Sequence, residues 1–281
     1  MAAAVARLWC RAPAWRSLLV LALALTIVAR LTEPWERPRV QAQAASLSQY
    51  TPALRAALLK KARHVLVTVA DRVVPLPSGT WATIVIATWG VNPQLDSELF
   101  IQTAGNRVTG IVMVEGSVTP GAASGAIPIP QGCVYGPRYR SWTVSTEAGT
   151  RECWGIGAMF PPTDWRAGHS HFIFTGALDK LREAGFEVPP TMVVASWYHA
   201  DATNWTSMAF LFDPASDSLA PTQPSAWTPD AVTASPGAMR FVERVAAWCN
   251  RWTPLVEAGT AEELSRSRVV STLTSQDPNV F

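Results

Sequence analysis

Residues 99–118 read LFIQTAGNRVTGIVMVEGSV, and the class of fold turns on how they are parsed. Leu99, Phe100 and Ile101 lead, and Val108, Ile111, Val112 and Val114 follow; such β-branched and aromatic residues suit a pleated, half-buried surface. Between the two apolar runs stand Ala104-Gly105-Asn106, residues that tolerate the backbone angles of a tight reversal. The stretch therefore predicts an antiparallel hairpin of strands 99–103 and 107–118.

The same signals extend outward. Strands are predicted at 64–74 and 80–89 upstream, set apart by turn residues at 75–79 and 91–94. Downstream, strands are predicted at 153–160, 171–174, 192–199 and 205–212, the last two as a second hairpin. Helices are fewer. One should start at Thr51 with Pro52 in its first turn, and a short one should run over 176–184 with Gly185 closing it. Ser235-Pro236 opens a longer one on which Met239, Val242, Val245, Ala246, Cys249 and Trp252 recur at helical spacing, ending at Pro254. Thr260 and Glu263 read as a capping box for a last short helix. Crossover helices are too few for a parallel sheet, so the prediction is α+β: a mostly antiparallel β-sheet with a few packing helices.

The N-terminus reads differently. Arg7, Arg11 and Arg16 precede the apolar run SLLVLALALTIVA at 17–29, with no acid among the first sixteen residues. At 1.5 Å per residue the run spans roughly 20 Å, against a hydrocarbon core of roughly 30 Å. It is a signal segment or, with Trp15 and Arg30 at the interfaces, a membrane anchor whose N-terminus stays in the cytoplasm. The expected organisation is a signal peptide or anchor at 1–31, a Pro-, Arg- and Gln-rich linker at 32–48, and one α+β envelope domain at 49–281. Arg far outnumbers Lys, and the coding composition looks GC-rich and bacterial. The expected location is the bacterial inner membrane, with one N-terminal pass and the domain in the periplasm, or the periplasm itself if the segment is cleaved.

A net charge of +2 on 281 residues, with basic side chains scattered, argues against a nucleic-acid partner. Of four cysteines, Cys10 precedes the apolar run, Cys133 and Cys153 are the expected disulfide in an oxidising compartment, and Cys249 falls on the apolar face of the long helix. No Cys-x-x-Cys pair suggests a redox motif or zinc knuckle.

Several stretches together resemble a group of signal-anchored proteobacterial envelope proteins to which no activity is attached. They are Leu76-Pro77-Ser78-Gly79-Thr80-Trp81, a turn into a strand like the group's PPGxW, and the mid-chain pair Cys153-Trp154. Gly185-Phe186-Glu187-Val188-Pro189, Phe210-Leu211-Phe212-Asp213-Pro214 and the late helix closing on Trp248 and Trp252 complete the likeness. Ser78 departs from the pattern. The resemblance implies a fold and a compartment.

Two pairs invite a chemical reading. His169-Ser170-His171 and His199-Ala200-Asp201 would each put two side chains on one face of a strand, and imidazoles with a carboxylate suit Zn²⁺ or Cu²⁺ in a metal-dependent hydrolase. Weighed against that, His and Asp at strand ends are commonly solvated or turn-forming. Ser196, His199 and Asp201 are a local cluster outside any nucleophile motif, and Gly155-Ile156-Gly157 lacks the third glycine of a nucleotide fingerprint. Asn204-Trp205-Thr206 fits a glycosylation sequon that matters only in a eukaryotic secretory setting. The thirteen tryptophans are the oddest feature. Most should fill the core, while Trp142, Trp165 and Trp227, in polar loops, are candidates for an exposed binding platform. The expected function is non-catalytic: a tethered or exported domain that needs no cofactor and acts through contacts with an envelope protein. The alternatives are a ligand-binding module using loop tryptophans and the hydrolase at His169, His171, His199 and Asp201.

Overall fold

The structure, a computed structural model, describes residues 62–63, 65–89, 94–117, 129, 131–134, 137–145, 150–160, 171–201, 204–261, 263–274 and 277–279. Ten strands are found among them: β1 (Ala62–Arg63), β2 (Leu66–Val69), β3 (Arg72–Pro75), β4 (Trp81–Trp89), β5 (Leu95–Ala104), β6 (Arg107–Ser117), β7 (Arg138–Ser145), β8 (Arg151–Met159), β9 (Met192–Ala200) and β10 (Trp205–Phe212). Four α-helices accompany them: α1 (His171–Glu183), α2 (Pro229–Ala234), α3 (Pro236–Thr260) and α4 (Arg266–Thr272). The fold is α+β with an antiparallel sheet, as the hairpin reading predicts.

Eight strands form one sheet in the order β1-β4-β5-β6-β10-β9-β8-β7, and each neighbouring pair is antiparallel. Two runs of adjacent strands, β4-β5-β6 and β10-β9-β8-β7, meet where β6 pairs with β10. Gly105, at φ +62°, turns β5 into β6. The period-two alternation of side chains then divides the sheet's residues between two cores. Phe100, Val112, Val114, Trp154, Trp197, Phe210 and Phe212 face α3. Leu99, Ile101, Ile111, Met113, Val194 and Leu211 face the other way, with Ala177, Leu178 and Leu181 of α1 in the same cluster.

Helix α3 starts as expected, Ser235 accepting from the N–H of Ala238, but it does not stop at Pro254. Pro254 lies inside it, on the exposed side, while Leu255, Val256, Ala258 and Gly259 beyond it are buried. That second half packs on β3: a Cβ added at Gly259 would lie 2.0 Å from the carbonyl oxygen of Val73. Close backbone approach is what this glycine permits.

Other expectations need correction. The strand predicted at 64–74 is two strands, reversed at Ala70 and Asp71, both at positive φ (48° and 59°). Residues 171–174, predicted as strand, begin α1, which then ends at Gly185 (φ +82°), where Phe186 N–H reaches the carbonyl of Leu181 at 2.9 Å. The last helix is capped by Ser265, which accepts from Arg268 N–H, in place of a Thr260/Glu263 box. Strand β7 is additional to the predicted strands. The helix expected from Thr51 lies outside the described residues, as does the apolar run at 17–29; among the described residues no helix is long and apolar enough to cross a membrane.

Residues near the C-terminus are knitted into the body. Asp277, fully buried, accepts from Ser78 Oγ (2.5 Å), Arg251 Nη2 and Thr274 Oγ1 (3.2 Å each), and Arg244 Nη2 donates to its carbonyl. Asn279 donates from Nδ2 to Ser78 O and Gln102 Oε1, both at 2.6 Å.

Candidate functional site

Antiparallel register sets Glu152 of β8 opposite His199 of β9, one step beyond the pair Trp154 and Trp197. All four side chains point to the α3 face. The His199 ring stacks on Trp197, centroids 5.8 Å apart, and the Trp197 indole N–H donates to Glu152 Oε1 at 2.8 Å. His199 Nδ1 is 3.5 Å from Glu152 Oε2, and Nε2 is 3.3 Å from Asp201 Oδ2. The turn after β9 is held by Asp201: Asn204 N–H donates to its Oδ1 at 2.7 Å, and Asp201 N–H donates to Asn204 O at 2.9 Å. Arg72 of β3 donates to Asn204 Oδ1 at 2.5 Å.

The electrostatics follow from this clamp. Glu152 above all, with Asp201, favours the charged form of the ring and raises the pKa of His199, outweighing the burial that would lower it. Glu257, near the end of α3, is also raised, by desolvation first and then by the charge of Glu152, while Arg268 and His199 act in the opposite sense.

His199 and Asp201 are thus brought together. His171 heads helix α1 and does not share a strand with a second histidine, and His169 lies outside the described residues. Glu152, the partner that sequence spacing misses, approaches Nδ1 while Asp201 approaches Nε2. Two carboxylates on opposite nitrogens of one ring do not converge on a single point, and among the described residues no group of three or more His, Cys, Asp or Glu side chains is disposed to hold a metal ion. The cluster can hold a proton and fix the β9–β10 turn.

Most of the tryptophans whose burial is described follow the core reading. Trp81, Trp154, Trp197, Trp227, Trp248 and Trp252 are fully buried. Trp227, expected in a polar loop, ends the 3-10 turn Pro224–Trp227 and donates to Pro221 O at 2.9 Å; it meets Phe241 edge-on at 6.0 Å. Its burial removes it from any exposed platform. Trp142 belongs to the edge strand β7, half-buried and stacked on Trp154 at 6.4 Å. Trp165 lies outside the described residues.

Cys133 and Cys153 form the expected disulfide, their Cα atoms 6.0 Å apart. The bond ties the 3-10 turn Gln131–Cys133 to β8, beside Tyr198 and Trp205. Cys249 is free and buried, and desolvation pushes its thiol pKa well up, so it is an inert part of the core.

These features define the class as a disulfide-stapled α+β domain on an eight-stranded antiparallel sheet. Set against protein-family models, curated proteins and solved structures, the chain matches none.

Proposed function

We propose that this chain is an exported bacterial envelope protein, anchored by its N-terminal apolar segment or released from it, whose folded domain acts through contacts with another envelope protein. The observation that carries the reading is the disulfide between Cys133 and Cys153. Such bonds form and persist in oxidising compartments and are rare where thiols are kept reduced. The basic flank and apolar run at the N-terminus supply the matching export signal.

Two features favour contact over chemistry. The carboxylates of the His199 cluster are engaged in the fold, Glu152 by the Trp197 indole and Asp201 by the backbone of Asn204. The indole rings, which could have made a ligand platform, are largely spent on the core.

The test is light crosslinking of a C-terminally tagged chain in its native cell, followed by identification of what co-purifies with the envelope fraction. A stoichiometric partner, recovered reproducibly and lost when surface residues of the domain are changed, is the expected result. Recovery of the chain alone, from the cytosolic fraction, would overturn the reading.

A further inference from the structure

Away from the His199 cluster, on the face shared with α1, one carboxyl lies in the middle of the sheet. Glu115 of β6 is 5% exposed, and its cross-strand neighbours are Ser97 on β5 and Ser207 on β10, both buried. The row on one side holds Leu99, Met113 and Ala209; the row on the other holds Leu95 and Ser117, with Trp205 N–H donating to Ser117 Oγ at 3.0 Å. Ser97 Oγ donates to Glu115 Oε1 at 3.1 Å. No Lys, Arg or His among the described residues forms an ion pair with it. Tyr198, opposite Ser207, is the next titratable side chain along the row. The charged groups of α1 are turned to one another at the surface, Lys180 with Glu183 and Arg182 with Asp179. A carboxylate taken from water with one hydroxyl donor and no cation is costly; the protonated acid is not.

We propose that Glu115 is a proton-operated switch at the join of the two halves of the sheet: as the neutral acid it closes the β5–β6–β10 layer, and on ionising it loosens that layer at the β6–β10 pairing. Its place is what makes it a switch, since β6 and β10 link β1-β4-β5-β6 to β10-β9-β8-β7. Burial sets the working range, raising the carboxyl to about 7 from its ordinary 4.5, with the Ser97 hydroxyl pulling the other way. Because the folded-state value is the raised one, the stabilisation is complete below about pH 4.5, is lost progressively as pH rises to about 7, and stays lost above.

The experiment compares the full chain with Glu115→Gln by denaturant unfolding from pH 4.5 to 8, with amide exchange read along β6 and β10. One proton held only by the folded state changes the opening constant by up to about tenfold per pH unit. The expected result is an opening constant for the wild type that rises roughly fortyfold between pH 5 and 7 relative to the Gln variant, with the extra exchange centred on 112–116 and 206–210. Parallel pH profiles for the two proteins would overturn the proposal, as would extra opening confined to other strands. Should the variant fail to fold, infrared spectra of wild type labelled at glutamate decide it. A buried protonated carboxyl band at pH 5 that disappears by pH 8 supports the switch, and its absence at pH 5 overturns it.

Discussion

His199 keeps a carboxylate within reach of each ring nitrogen, so its charge is coupled to the turn that follows it. Its folded-state pKa is raised above the ordinary 6.5, so its contribution to stability is complete below pH 6.5 and is lost as pH rises through the raised value. His199→Gln should remove that component and flatten the stability profile above pH 6.5, which unfolding curves at successive pH values will show. The Asn204 amide, held by Asp201, should shift in an NMR titration with the midpoint of His199 and cease to do so in the variant. At this scale the sequence was half legible. The i, i+2 spacing of His199 and Asp201 put them side by side, but Glu152 joins them only through the β8–β9 register, which no local pattern encodes. The buried carboxyl of Glu115 was hidden for the same reason: its serine neighbours come from two other strands.

Elements were legible where their end signals are strong and obscured where packing overrides them. The two hairpins, β5–β6 and β9–β10, stand where alternating apolar runs flank turn residues. The β2–β3 reversal is obscured in the sequence because Ala70-Asp71 carries neither glycine nor asparagine, though both residues adopt left-handed angles. β7 is obscured because its core-packed side chains, Tyr139, Trp142 and Val144, do not recur at a strict period of two where register shifts break the ladder, and Arg138, Arg140, Ser141 and Thr143 between them are exposed. Pro254 misled in the opposite sense. The proline removes one intrahelical hydrogen bond, yet Leu255, Val256 and Ala258 anchor the next turn in the core, and Thr253 Oγ1 both donates to Cys249 O (3.0 Å) and accepts from the Trp154 indole (2.9 Å). Tertiary packing offsets the local cost. Since Pro254 is exposed, Pro254→Ala should relieve that cost without opening a cavity and stabilise the protein by about 1–3 kcal/mol, measured by denaturant unfolding.

For the whole molecule, the two faces of one sheet bury two cores, and the disulfide adds a covalent tie across 20 residues of sequence. Closing a loop of that length contributes about 3 kcal/mol in the chain-entropy account, so the double variant Cys133→Ser with Cys153→Ser should lose about that much and unfold at lower denaturant. The α+β class followed from the sequence because strand signals outnumber crossover helices. The strand order did not, since the pairing of β6 with β10 joins segments nearly a hundred residues apart. The compartment is the claim on which the functional reading rests, and the redox state of two thiols inside living cells tests it most directly. Intact cells are treated with a thiol-alkylating reagent, and the cysteines are read by mass spectrometry with and without prior reduction. The account predicts that Cys133 and Cys153 become labelled only after reduction, while buried Cys249 is labelled only after unfolding. Free labelling of Cys133 and Cys153 in unreduced cells would contradict it.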